Sequence, residues 1–315
     1  MASTVVEDPL GEYRGELFSH CYRMLGSFHD AEDVLQEVSL RALRGMADFK
    51  GRSSLRTWLH RIVVNTCRNE LERKERRILP MDHMAAFDGD ASIGEPVTEV
   101  AWLEPAPTDP HSSVEARESV ELAFVAAVQH LPANQRAALV LFEAFAFSAQ
   151  EIAEIMATTP ASVNSALQRA REALVARRPA ASQQATLAQL GDEAQRELVR
   201  RYAVAMQAHD LEEILSLVTE DATWSMPPLA NWYRGHDAIA GFLGVGPFTR
   251  EWRHVPTAAN GQLAVGCYLS GMTGEFEAYC LDVLDVAPDG RIAAITAFLD
   301  PGLMPEFGLP KIFRG

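Results

Sequence analysis

Phe49-Lys-Gly-Arg-Ser-Ser-Leu-Arg-Thr-Trp-Leu-His-Arg-Ile-Val-Val-Asn65 is the stretch on which the reading of this 315-residue chain turns. Its first half is a polar loop, part of Gly45 to Ser54. From Leu55 on, Leu55, Trp58, Leu59, Ile62, Val63 and Cys67 recur at helical spacing and predict one buried stripe. The remaining faces carry Arg56, His60, Arg61, Asn65, Arg68, Arg73, Lys74, Arg76 and Arg77. Working upstream, Val34, Leu35, Val38, Ala42 and Leu43 predict the inner side of a preceding helix, with Asp30 as its N-cap. Leu17, Phe18, Cys21, Tyr22 and Leu25 predict another before it.

Charge is distributed unevenly around this stretch. The chain has a formal net charge of −15. Residues 41–77 nevertheless hold 11 Lys/Arg against 4 Asp/Glu, a net of +7. Residues 82–121 hold 10 acids against one Arg, and 192–315 hold 17 acids against 9 bases. A basic block inside an acidic protein is the footprint expected for a polyanion partner.

Downstream, residues 80–113 are rich in proline and acid and read as a linker, with Trp102 and Leu103 as its large apolar exceptions. Helices resume over 114–178. Ser148 and Glu151 have capping-box spacing, for a helix running to Ala157. Thr159 and Pro160 can start the next one. In that helix Val163, Ala166, Leu167, Ala170 and Leu174 form the apolar stripe, while Ser162, Asn164, Ser165, Gln168, Arg169 and Arg171 face outward. Two short helices joined by a tight turn form a helix-turn-helix pattern. Residues 179–191 read as a second linker. From 192 on come helices, then strand-like runs at 222–226, 252–258, 262–270, 276–286 and 291–299, which is an α+β order.

No run approaches the ~20 apolar residues of a membrane span, and the N-terminus lacks the pattern of a secretory signal. A cytoplasmic location with no membrane contact is expected. Cys21, Cys67, Cys267 and Cys280 show neither Cys-x-x-Cys pairing nor zinc-finger spacing to histidine. They read as buried small hydrophobes, with no metal or cofactor.

Asp30-Ala-Glu-Asp-Val-Leu-Gln-Glu-Val38 together with the 49–65 stretch closely resembles the second conserved region of extracytoplasmic-function sigma factors. Leu131-Pro-Ala-Asn-Gln-Arg-Ala-Ala-Leu-Val140 and the helix-turn-helix resemble the fourth region. Asp221-Ala-Thr-Trp-Ser-Met-Pro-Pro228, Trp232-Tyr-Arg-Gly235, Ala259-Asn-Gly-Gln262 and Phe307-Gly-Leu-Pro310 resemble a SnoaL-like domain of the NTF2-like cone fold. Trp102-Leu-Glu-Pro105 resembles a short motif of sigma factors with that fused domain. The Asp-Gly-Gly-Gly-Arg and Asn-Pro-Asp-Lys-Leu signatures of a related fused group are absent.

The resemblance implies a multidomain chain: two all-α sigma domains, the second a helix-turn-helix, then an α+β cone domain. The implied boundaries are 8–79, an acidic linker 80–113, 114–178, a linker 179–191, and 192–315. It implies no catalytic residue. Docking on core RNA polymerase, through its beta and beta-prime subunits, would use Asp33, Gln36, Glu37 and Arg41. The −10 element of promoter DNA would meet Phe49, Lys50, Arg52, Ser53, Arg56, His60, Arg61, Asn65, Arg68 and Asn69, with Arg73 and Lys74 on phosphates. Trp58 is either a wedge between bases or a core residue. The −35 element would fall to Ser162, Asn164, Ser165, Gln168, Arg169 and Arg171. Trp102, Leu103 and Phe307 are candidate cis-regulatory contacts. The cone domain could hold a small-molecule ligand, with Asp221, Tyr233, His236 and Asp237 as polar candidates beside Trp224, Met226 and Trp232. Two other readings stay open: a ligand-sensing helix-turn-helix regulator, which leaves the 41–77 block unexplained, and an NTF2-like enzyme.

Overall fold

The computed structural model describes residues 10–87, 93–107, 120–175, 177, 182–271 and 274–314. The chain divides into two compact units, one drawn from 1–77 and 122–178, the other from 78–121 and 179–315.

The first unit is helical. It begins with α1 (Arg14–Leu25), α2 (Phe28–Met46) and α3 (Leu55–Leu71). Ser27, not Asp30, caps α2: its hydroxyl accepts the Asp30 N–H at 3.1 Å. Asp30 lies in the first turn instead, where Lys74 Nζ (2.7 Å) and Arg77 Nη2 (2.6 Å) donate to its carboxylate. Burial alone would raise that carboxyl's pKa, but the two cations hold it below its usual range. Leu43 leaves the expected buried stripe and is 46% exposed. One step past buried Ala42 the helix has turned by about 100°.

The chain then crosses to the second unit, where Pro80–His83 forms the short α4. It returns as α5 (Leu122–Gln129), α6 (Ala133–Glu143), α7 (Ala149–Ile155) and α8 (Pro160–Leu174). Arg136 of α6 is buried and makes four bonds to oxygens. Its Nη1 donates to Gln129 Oε1 at 2.6 Å and to the Met24 carbonyl, and its Nη2 to the carbonyls of Gln129 (2.8 Å) and Leu131 (3.2 Å). Gln129 in turn donates to the Arg23 carbonyl at 3.2 Å. Through these bonds α1 is tied to α5 and α6.

The capping box forms as its spacing indicates: Ser148 N–H donates to Glu151 Oε2 at 2.8 Å, and Glu151 N–H to Ser148 Oγ at 3.3 Å. The α7 helix ends at Ile155 rather than Ala157, because Ala157 takes a left-handed φ of 51° in the turn. That conformation costs an L-residue about 1–2 kcal/mol. Ala157→Gly is therefore expected to raise stability by about 0.5–1 kcal/mol after glycine's extra chain entropy is subtracted. A shift of the urea midpoint upward checks this; a downward shift refutes it.

The second unit contains α9 (Gln183–Leu190), α10 (Asp192–Ala208), α11 (Leu211–Leu217), β1 (Val218–Ser225), β2 (Trp232–Arg234), α12 (His236–Val245), β3 (Trp252–Ala259), β4 (Gln262–Ser270), β5 (Phe276–Val286), β6 (Ile292–Phe298) and β7 (Ile312–Phe313). The α9 helix falls where a linker was expected. Asp210 caps α11, its carboxylate accepting the Glu213 N–H at 3.0 Å. The sheet order is β2-β1-β6-β5-β4-β3, with β7 on one end of β5 and with β1 parallel to β6. β2 and β7 have three and two residues, too few for alternation to show. Asn260 and Gly261, at φ 54° and 69°, form the two-residue turn between β3 and β4, as Asn-Gly does where both positions need positive φ. Tyr202, Trp224, Phe242, Leu284 and Ile295 are among the residues of the core.

The acidic, proline-rich segment does not behave as a solvated tether where it is described. Ile78 N–H donates to Ala101 O (3.0 Å) and Leu103 N–H to Ile78 O (2.9 Å). Phe87 N–H reaches Trp232 O (2.8 Å), and Val97 N–H reaches Pro228 O (3.0 Å). Trp102 and Leu103 are buried, and Trp102 Nε1 donates to Val97 O at 2.8 Å. Asn260 binds both sides of the stretch that follows. Its Oδ1 accepts the Ala106 N–H (3.0 Å), its own N–H donates to Ala106 O (2.9 Å), and its Nδ2 donates to Val120 O (2.8 Å). The parts of the expected linkers at 88–92, 108–113 and 179–181 lie outside the described residues. Phe307 is buried in this same unit, its carbonyl accepting from Thr257 Oγ1 at 3.1 Å. Among the described residues no helix is long and apolar enough to cross a membrane.

Candidate nucleic-acid interface

On α2, Asp33, Gln36 and Arg41 are exposed and Glu37 half-buried, with Arg41 Nε 2.7 Å from Glu37 Oε1. Leu40 and Leu43, 47% and 46% exposed, stand on the same surface. Gln36, Leu40 and Leu43 follow i, i+4, i+7 spacing, a signal that the polar residues drew attention away from. An apolar pair ringed by polar side chains is the composition of a docking face.

Beyond α2, Lys50 and Arg52 are exposed in the loop, and Asn65, Asn69 and Arg73 are exposed on and after α3. Ser53, Arg61 and Arg68 are half-buried. Trp58 is also half-buried: its ring lies 5.2 Å from that of Phe49 and covers Gly45, where a Cβ would come within 2.9 Å of it. That placement favours packing over a free wedge. Lys74 is engaged with Asp30 and, at 2.8 Å, with Glu70.

Two residues expected on the outer face are turned inward. His60 is fully buried, its Nε2 2.7 Å from Glu16 Oε1 and its Nδ1 2.8 Å from His20 Nδ1. Arg56 Nε donates to the same Glu16 oxygen at 2.6 Å and its Nη2 to Phe145 O at 2.9 Å, with the guanidinium 4.2 Å from the Phe147 ring. Neighbours distant in sequence cover this side of α3, so its own periodicity could not reveal it. Burial keeps His20 and His60 below the ordinary imidazole range, because the charged form would be desolvated. Burial opposes ionisation of Glu16 too, but His60 and Arg56 bring its carboxyl below its usual value.

The sign for pH follows from the two histidines. Unfolded, they take up protons near pH 6.5; folded, they resist until lower pH. Their contribution is complete above about pH 6.5 and is lost as pH falls below it, with a limiting slope of about 1.4 kcal/mol per pH unit for each histidine. Urea denaturation between pH 7.5 and 5 should show this fall, and His60→Gln should flatten it. An unchanged slope in that variant would remove the assignment.

The helix-turn-helix places all of its expected readers in solvent. Ser162, Asn164, Ser165, Gln168, Arg169 and Arg171 are exposed, and Val163, Ala166, Leu167, Ala170 and Leu174 are buried. Thr159 Oγ1 accepts the Ser162 N–H at 3.2 Å and caps the helix. Arg171 leans on α6, 3.7 Å from Glu143 and 5.0 Å from the Phe142 ring centre, and Gln168 donates to Glu172 at 2.9 Å. Among the described residues Arg169 has no ion-pair partner.

The second unit encloses a cavity of about 250 Å³. Trp224, Met226 and Phe242 line it, but Asp221, Tyr233, His236 and Asp237 do not; Asp221 and Asp237 are exposed. Its polar lining instead includes His254, Cys267, Cys280, Asp282, Tyr279 and Arg250. These lie on strands β3 to β5 or just before β3, and only strand pairing brings them together.

The Sigma-70 region 2 family matches residues 10–77, the Sigma-70 region 4 family 121–174, and the SnoaL-like domain family 199–295. The ECF RNA polymerase sigma factor SigG of Mycobacterium tuberculosis is 44% identical over 311 residues, covering 95% of this chain and 82% of that protein. SigJ of the same organism is 29% identical over 307 residues, 91% of this chain and 89% of that one. The crystal structure of SigJ aligns with a TM-score of 0.62 at 26% identity, over 94% of this chain and 97% of its own. Two helical sigma regions followed by a cone domain, matched along their length by relatives of the same architecture, mean that this chain belongs to the ECF RNA polymerase sigma factors that carry a SnoaL-like domain.

Proposed function

We propose that the chain directs initiation at specific promoters without covalent chemistry of its own. Core RNA polymerase docks on α2 through Asp33, Gln36, Glu37 and Arg41 around Leu40 and Leu43. The loop at 49–53 and the exposed side of α3 take the −10 element, and α8 reads the −35 element. Arg56 and His60 serve the packing of the first unit rather than DNA. The protein works in the cytoplasm, where polymerase and chromosome are. The second unit modulates activity in cis through the segment at 78–107, and its cavity is the place for a small-molecule ligand.

The observation that carries this reading is α8: its polar residues are all exposed, while Val163, Ala166, Leu167, Ala170 and Leu174 are buried, behind a capped helix and a tight turn. That is the arrangement that sets side chains against base edges. In reconstituted transcription, Asn164→Ala and Arg169→Ala should each lower use of a matched −35 promoter by about ten- to a hundredfold, the equivalent of about 1–3 kcal/mol per lost base contact. A promoter with a scrambled −35 element should respond weakly. Equal losses on both templates would remove base reading from α8.

A further inference from the structure

We propose that His254, Cys267 and Asp282, with Cys280 beside them, form a site for one divalent cation of the zinc class in the wall of the second unit's cavity, the first three supplying its ligand atoms. The strand register builds it. His254 on β3 pairs with Cys267 on β4, and Cys267 pairs with Cys280 on β5, so the three stand in one row across the sheet. Asp282 follows Cys280 by two residues and therefore shares its face. The register of β4 with β5 shifts next to Cys267, so that Tyr268 pairs with Ala278 and Tyr279 is the extra residue. Such a bulge re-aims side chains, and here Tyr279 and Cys280 both line the cavity.

The distances suit coordination. Cys267 Sγ lies 3.3 Å and Cys280 Sγ 3.6 Å from the Asp282 carboxylate oxygens. A ring nitrogen of His254, the Cys267 sulfur and an Asp282 oxygen all lie within 4.8 Å of one another. Donors around a tetrahedral zinc with bonds of about 2.0–2.3 Å are separated by about 3.5 Å. All four residues are less than one-tenth exposed. His254 supplies an independent sign: its Nδ1 is buried and has no hydrogen-bond partner among the described residues. A buried polar atom left unmatched calls for an explanation. Tyr202 donates from its buried hydroxyl to Asp282 at 2.7 Å, the kind of support that fixes a ligating carboxylate. A cysteine sulfur, an imidazole nitrogen and a carboxylate oxygen favour zinc over magnesium or calcium. The cavity gives the ion a route in.

The test uses the full chain, reduced, with cobalt as a spectroscopic probe and zinc as competitor. One cobalt per chain should bind with a thiolate-to-metal absorption band, and one equivalent of zinc should displace it. Cys267→Ser should abolish the band, His254→Gln should weaken binding at least tenfold, and Cys21→Ala with Cys67→Ala should leave both unchanged. If Cys267→Ser does not fold, X-ray absorption on zinc-loaded wild type decides, with sulfur and nitrogen neighbours expected. No thiolate band at saturating cobalt, a band that survives Cys267→Ser, or oxygen neighbours only would each overturn the site.

Discussion

Arg136→Ala is expected to destabilise the first unit by about 3–4 kcal/mol. The guanidinium is buried, and burial pulls its pKa down to about 10, so it remains charged at neutral pH. Its partners are all oxygens: the Gln129 side chain and the carbonyls of Met24, Gln129 and Leu131. Truncation leaves those carbonyls in a dry interior, at about 1–3 kcal/mol for each that water cannot reach. Arg136→Lys keeps the charge but not the planar fork, and should recover less than half of the loss. Because Met24 belongs to α1 and Arg136 to α6, hydrogen exchange should quicken in both helices together. A midpoint within 1 kcal/mol of wild type by denaturant titration would show that the hub is dispensable.

Asn260→Ala should have the second large effect, about 3–4 kcal/mol within the second unit. The side chain is fully buried and serves Ala106 and Val120 at once. Losing it orphans a donor and an acceptor, and alanine must also hold the φ of 54°. Asn260→Gly relieves the second cost only, so after glycine's extra chain entropy it should lose about 0.5–1 kcal/mol less. In both variants protease should cut faster within 93–107. If cleavage there is unchanged, the side chain does not hold the segment.

The contrast between legible and hidden parts follows from what carries each contact. The stripe of α8 and its caps were readable because they are local: Thr159, Pro160 and the alternation from Val163 to Leu174 all lie within five turns. The cone strands from β3 to β6 showed for the same reason. The segment at 78–107 was misjudged because main-chain groups fasten it, as Phe87 to Trp232 and Val97 to Pro228, and backbone bonds leave no side-chain periodicity. Composition recorded only its prolines and acids. His60 was placed outside by its helix alone, whereas Glu16 and the turn at Phe145 to Phe147 cover it. All four cysteines are buried, as their reading as small hydrophobes expected, but spacing rules that describe ligands on one loop or helix say nothing of which of them become neighbours. Cys267 and Cys280 are 13 positions apart and meet only through strand register.

The fastening of residues 78–87, 93–107 and Val120 changes the polymer physics of the connection between the two sigma regions. Forty-four residues separate Arg77 from Leu122. As free chain they would have a root-mean-square span of about 35–40 Å and a contour of about 150 Å. Fastened at Phe87, Val97, Ala106 and Val120, the described parts of the connection lose that freedom. A spacer of fixed length suits one promoter spacing and penalises others, whereas a flexible one tolerates a range at lower effective concentration. The sharpness with which transcription depends on the number of base pairs between the −35 and −10 elements therefore becomes a readout of whether the segment is held or released.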